Sequence, residues 1–326
     1  MATKYTRAEV AARLTATLAA KKPILVAGAG TSLSAKCAEL GGADLIVIYN
    51  SGRFRMDGLP SCCGIMCYSN ANDVVFEMGE RHVLPVVKKT PVIAGVCGTD
   101  PTRDMGRFLR QLVDVGFSGV INFPTVGRID GSLRRDLESV GLGFLREVEM
   151  IAQARALDLY TLAYVFCSEE AKQMAAAGVD VIVPHVGMTA GGTIGAKETM
   201  DLPEEAEKVQ EILRAARGVN PEVIVLAHGG PIAEPDDVAY IMAETDSQGF
   251  VGASSMERLP VEKAIVGVMQ QFKQLSLGLV GKLNKLATSP ISSRSSQRET
   301  RFHPSSWSME MISSGMLGRF ARDSAW

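Results

Sequence analysis

Eight times along the chain a short run of aliphatic, often β-branched residues breaks off into glycine or polar residues, and a stretch with helical periodicity follows. The runs are 23–30 (PILVAGAG), 44–50 (DLIVIYN), 91–98 (PVIAGVCG), 119–124 (GVINFP), 159–167 (LYTLAYVFC), 179–185 (VDVIVPH), 223–228 (VIVLAH) and 249–255 (GFVGASS). Near-continuous apolar strands alternating with helices are what a parallel sheet covered on both faces requires, because each βαβ crossover lays a helix over the sheet. Eight such units in roughly 250 residues match a (β/α)8 TIM barrel. In that fold the chemistry sits where the strands end, so the residues just past each run are the place to look for function.

Residues 6–22 read as an extra N-terminal helix that closes the bottom of the barrel, with Ala, Leu and Val at helical spacing. Three connections exceed the usual 2–6 residues of a βα loop: 51–72 after the second run, 125–143 after the fourth and 187–203 after the sixth. Three long loops on one face imply a deep, covered pocket. The composition changes near Leu279, and 279–326 reads as a Ser/Arg-rich flexible tail that buries too little apolar surface to offset its ordering entropy, leaving 1–278 as the barrel domain.

Lys and Arg number 34 against 36 Asp and Glu, a formal charge of −2, so no electrostatic footprint for nucleic acid or an anionic membrane exists. No apolar stretch approaches the ~18–20 residues of a membrane span, and the first residues lack a signal peptide's apolar centre. The reading is a cytoplasmic protein whose partner is a small molecule. Six cysteines in 326 residues do not suggest a disulfide framework. The cluster Cys62, Cys63, Cys67 has neither a histidine nor a second cysteine pair at zinc-site spacing.

The strand ends carry the candidate chemistry. After the seventh and eighth runs, Gly229, Gly230, Ser254 and Ser255 suit a phosphate or carboxylate cradle, and Arg258 adds a cation. Equally, the glycines can make a tight turn and Ser255 can cap a helix beginning near Glu257. His185 and His228 end neighbouring strands, which places two imidazoles at the mouth as acid/base groups or metal ligands; His82, in a helix, and His303, in the tail, read as surface residues. Asn50, Ser51 and Arg53 follow the second run, where Arg53 suits bidentate recognition of a carboxylate. Asp100 in Gly-Thr-Asp-Pro can hold a divalent metal, act as a base, or cap a helix starting at Pro101. Cys97 has no adjacent base. Asn122, Arg128 and Asp130 belong to the fourth loop, and Glu147 or Glu149 can reach inward from the helix after it. The small-residue loop 188–196 would work as a mobile cover; neither a dinucleotide fingerprint nor a Walker A is present.

The segments IYNSGRFRM, GVCGTDP, GFSGVINFPTVGRIDG, REVEMI, VGMTAGGTIGAK, AHGGPI and GASSMERLP resemble the phosphoenolpyruvate hydrolase-like, or TIM-barrel signal transduction, family over about residues 5–276. The resemblance implies a barrel akin to the phosphoenolpyruvate/pyruvate superfamily, whose better-known members make or break C–C or C–P bonds in small α-keto acids with Mg2+. It implies a lyase or hydrolase acting on a small anionic carbonyl compound, for which the strand-end reading offers His185, His228, Glu149 and Asp100 as catalytic candidates, or alternatively a metabolite-binding or regulatory barrel. It further implies a Tm-1-like ATP-binding protein acting in trans, while the extra N-terminal helix and terminal tail, features of barrels that associate, lead to the expectation of a homo-oligomer. Against the superfamily pattern of clustered acids at successive strand ends, the third strand offers only Asp100 and the second offers none.

Overall fold

A computed structural model describes residues 2–276, and its strands follow the eight apolar runs. They are β1 (Ile24–Gly28), β2 (Leu45–Ile48), β3 (Val92–Val96), β4 (Gly119–Asn122), β5 (Tyr160–Val165), β6 (Val181–Pro184), β7 (Ile224–Val225) and β8 (Gly249–Gly252). All pair in parallel in the order β7-β6-β5-β4-β3-β2-β1-β8. The ring closes between β7 and β8, where the Ala227 N–H donates to Gly249 O at 3.0 Å and the Val251 N–H to Ala227 O at 2.9 Å. The molecule is therefore the TIM barrel that the alternation of runs and helices implies.

Strand side chains alternate between two apolar layers. Ile24, Val26, Leu45, Val47, Ile93, Ile121, Leu162, Val181, Val183 and Val251 fill the interior. Ile46, Ile48, Ala94, Val120, Ala163 and Ile182 face the surrounding helices. The bottom is closed by α1 (Arg7–Ala19), whose Val10 and Leu14 join the interior cluster. Its start is fixed by a capping box in which Thr6 Oγ1 accepts from Glu9 N at 3.2 Å and the Glu9 carboxylate accepts from Thr6 N at 2.8 Å. An ion pair of 2.5 Å between Arg7 and Asp180 ties this helix to the start of β6.

The helices that follow are α2 (Ser32–Leu40), α3 (Asn50–Met56), α4 (Ala71–Glu77), α5 (Met105–Val115), α6 (Gly131–Ser139), α7 (Phe144–Ala156), α8 (Ser168–Ala176), α9 (Leu202–Arg217), α10 (Pro235–Glu244) and α11 (Arg258–Lys273). Two of the three long connections carry structure of their own. The segment 51–72 contains most of α3 and a 3-10 turn at Ser61–Ile65, and 125–143 contains α6, which buries no residue. From Val261 onward α11 exposes Val261, Ile265, Val266, Val268, Met269 and Phe272. No helix is long and apolar enough to cross a membrane among the described residues. The expected tail at 279–326, with His303, lies outside them.

Candidate active site

At the C-terminal ends of the strands a cavity encloses about 610 Å³, its open mouth included. All three long loops contribute to it: Ser61, Cys62 and Ile65 from the first, Arg128 from the second, Met188, Thr189, Ile194 and Gly195 from the third. Its floor is aromatic. Tyr49, just past β2, and Tyr164 of β5 meet hydroxyl to hydroxyl at 3.0 Å, and Phe123 packs on both rings.

His185 and His228 stand side by side on this floor, bridged through their backbones, with ring centroids 4.6 Å apart. Tyr164 contacts both imidazoles and Phe166 stacks on His185. Their hydrogen bonds assign opposite tautomers. His228 Nδ1 lies 2.6 Å from Val251 O, which can only accept, so Nδ1 carries the proton and Nε2 keeps a bare lone pair. His185 Nδ1 instead accepts from the Gly187 N–H at 3.2 Å, so in the neutral ring the proton resides on Nε2. Burial disfavours the charged form of both rings. It pushes His228 down to about 4, and it drives His185 well below the usual imidazole range with help from His228 and Arg128. Near neutral pH the pair is thus one base and one donor, both uncharged.

Three guanidinium groups line the cavity. Arg55 of α3 is buried and bound to Glu257, with Nε 2.9 Å from Oε2; the other carboxylate oxygen accepts from Gly30 N at 2.5 Å and from the Ser34 hydroxyl. Arg258 pairs with Glu262 at 3.0 Å and donates to Gly191 O at 3.0 Å. Glu262 also accepts from Thr193, so this pair clamps the cover loop onto the start of α11. Arg128 is different: among the described residues no carboxylate lies within ion-pair distance of it, burial lowers its pKa, and the Cys62 thiol is the one group opposing that shift.

The other sequence candidates divide between the cavity and its surroundings. Ser51 and Ser254 line the cavity, but Asn50 is spent holding the 3-10 turn, with Nδ2 2.8 Å from Gly64 O. Arg53 points outward to Glu77 at 3.4 Å, and Glu149 is exposed beside Arg146. Asp100 neither caps a helix nor reaches the cavity. It accepts from Asn70, Asn72 and Thr102, bonds that hold its carboxyl down at about 2 and leave it a poor base; Asp104 caps α5 instead. Gly229 and Gly230 take left-handed backbone and pack against Gly187 and Glu205 rather than the cavity, which argues for the turn rather than the cradle. Ser255 Oγ is buried without a partner and caps nothing. Of the two α7 glutamates it is Glu147 that turns inward, where Asn122 Nδ2 at 2.7 Å and Val126 N at 2.8 Å hold it behind the fourth loop; burial raises it to about 7.

The resemblance implies Mg2+, a cation that selects carboxylate and other oxygen ligands. The residues present do not fit it. The cavity lining contains no Asp or Glu, and the carboxylates behind it, Glu257, Glu262 and Glu147, are occupied as described. Among the described residues no group of three His, Cys, Asp or Glu could hold a metal, and the two histidines together offer one free lone pair.

Sequence reasoning singled out both histidines, Ser51, Ser254, Arg258 and, in the fourth loop, Arg128. It missed Arg55, Tyr49, Tyr164 and Glu257. The tyrosines were legible as polar-tipped residues at the ends of apolar runs; the Arg55–Glu257 pair spans 202 positions and left no local signal.

The family model for phosphoenolpyruvate hydrolase-like proteins matches residues 9–275. The ToMV susceptible protein tm-1(GCR26) of Solanum lycopersicum is 54% identical over 257 residues, which are 78% of this chain and 34% of that protein. This chain therefore spans about a third of that relative's length. Among solved structures, 2,3-dimethylmalate lyase, a PEP mutase/isocitrate lyase superfamily member, aligns with a TM-score of 0.54 at 14% identity over 87% of this chain and 99% of that one. A phosphonopyruvate hydrolase complexed with oxalate and Mg2+ aligns at 0.52 and 17% identity over 85% and 95%. At such identities these likenesses show the shared barrel fold. The match across nearly the whole described barrel and the identity to the tomato protein carry the assignment further: the chain belongs to the phosphoenolpyruvate hydrolase-like family.

Proposed function

We propose that the chain is a lyase or hydrolase of a small anionic carbonyl compound, with His228 Nε2 as general base and the His185 Nε2–H as donor to the oxygen on which negative charge develops. The observation that carries this reading is the pair of touching neutral imidazoles in opposite tautomers within one cavity. Bond cleavage next to a carbonyl needs a proton moved at one atom and an enolate or oxyanion stabilised at another. One ring supplies the lone pair and its neighbour the donor, in a buried site where a fixed donor acts more strongly than in water. A bound anion would favour protonation of His228, bringing a ring poised at about 4 in the free protein nearer to working pH.

The test is turnover of a panel of oxo acids followed by mass spectrometry, with His228→Gln and His185→Gln alongside. Each substitution is expected to lower kcat/KM by about 10²-fold or more. In the free protein the acid limb of kcat/KM should have its midpoint near pH 4, because protonation of His228 removes the base. Full activity in both variants would refute the assignment. Tight ligand binding with no product would replace it by a metabolite-binding barrel.

A further inference from the structure

Resting on that reading of the cavity as the substrate site, we infer that its ligand carries a single carboxylate beside a carbonyl group, and that Arg128 holds this carboxylate directly, with no divalent cation between them.

The first support is the charge of the lining. Of its three guanidinium groups, Arg55 is neutralised by Glu257 and Arg258 by Glu262, while Arg128 has no carboxylate partner among the described residues. The two imidazoles are neutral. The walls therefore present one uncompensated positive charge in a partly desolvated space. A monoanion balances it; a phosphate or phosphonate dianion would leave a second charge buried without a partner, which is costly at low dielectric.

The second support is the donor set. A divalent cation would have to be held by oxygen anions, and the lining supplies none. The task of fixing two ligand oxygens in a plane then passes to the group suited to it, since a guanidinium meets a carboxylate with two parallel N–H···O bonds. Around Arg128 the cavity offers neutral donors for the neighbouring carbonyl: the His185 Nε2–H and the hydroxyls of Ser51, Thr189 and Ser254. One cation and several neutral donors describe a 2-oxo or 3-oxo monocarboxylate.

The experiment is calorimetric titration of the full chain, stripped with a chelator, using pyruvate, acetoacetate, oxalate and phosphoenolpyruvate, each with and without millimolar Mg2+. Pyruvate or acetoacetate should bind in chelator with a Kd that Mg2+ leaves unchanged, and more tightly than either of the more highly charged ligands. Arg128→Gln should weaken binding roughly 10- to 100-fold, the loss of charge-assisted hydrogen bonds, with Arg128→Lys intermediate and all variants melting as the parent does. Binding that requires Mg2+, oxalate or phosphoenolpyruvate bound in preference, wild-type affinity in Arg128→Gln, or no binding of either monocarboxylate would each overturn the inference. Metal-free binding without turnover would remove the enzymatic reading alone. His-dependent turnover that needs Mg2+ would remove this inference alone.

Discussion

Arg55 and Glu257 form a buried ion pair in the wall of the cavity, and their arrangement leaves neither charge without a partner. Each atom of the carboxylate is used: one oxygen on the guanidinium, the other on Gly30 N and Ser34. Removing one member of such a pair strands the other charge away from water. Glu257→Gln is accordingly expected to destabilise the fold by about 3–5 kcal/mol, and Arg55→Met/Glu257→Gln to cost less than the single change. Urea unfolding of the three proteins measures this, and a double variant no more stable than Glu257→Gln would contradict it. The same residues show where sequence reading stops. Arg53 and Arg55 sit two apart on α3, and at 3.6 residues per turn they face nearly opposite sides. Choosing between them needs the helix phase, and a seven-residue helix inside a glycine-containing connection reveals no phase. The histidines were legible because a strand end fixes position without phase.

The elements that deliver these residues depend on close backbone approach. α3 rests on the turn after β1 through two glycines: a Cβ on Gly30 would lie 2.0 Å from Gly52 O, and one on Gly52 would lie 3.0 Å from Gly30 Cα. The helix that carries Ser51 and Arg55 into the wall cannot sit there otherwise. Gly30→Ala should therefore cost about 1–3 kcal/mol by displacing that wall. Gly267→Ala on α11, whose Cβ would meet nothing within 4 Å, should be neutral or stabilising by up to about 1 kcal/mol. Thermal melts of the two variants decide it, and equal effects would show that the contact is not what matters. At this scale the strands were almost wholly legible, since burial on both faces writes itself as unbroken apolar runs. α6 was not, because it buries no side chain fully: Leu133 faces solvent and Leu137 packs only partly against the core.

For the whole molecule, four buried titratable groups make stability a function of pH from both sides. His185 and His228 resist protonation when folded, His228 with a value near 4. As pH falls from the ordinary imidazole value toward 4 the unfolded chain takes up protons the folded one refuses, so stability falls. Glu147 and Glu205 act at the other end. Their folded values are raised to about 7 and about 8, so between the ordinary carboxyl range and those values the unfolded chain loses protons the folded one keeps, and stability falls as pH rises. Glu205 of α9 is the sharper case, because both its oxygens are buried without a partner beneath Gly230 and the charge of Asp237 adds to the penalty. Gly230 holds a left-handed φ of +55°, and a Cβ there would press to 2.8 Å from Glu205 Oε2. Glu205→Gln keeps the shape and removes the ionisation. Its stabilising effect should be small near pH 5, grow between about pH 5 and 8 and level off above that at roughly 2–4 kcal/mol, leaving a shallower alkaline limb set by Glu147. Denaturant unfolding across that range reads the difference directly, and a gain independent of pH would show that Glu205 is not protonated in the folded protein.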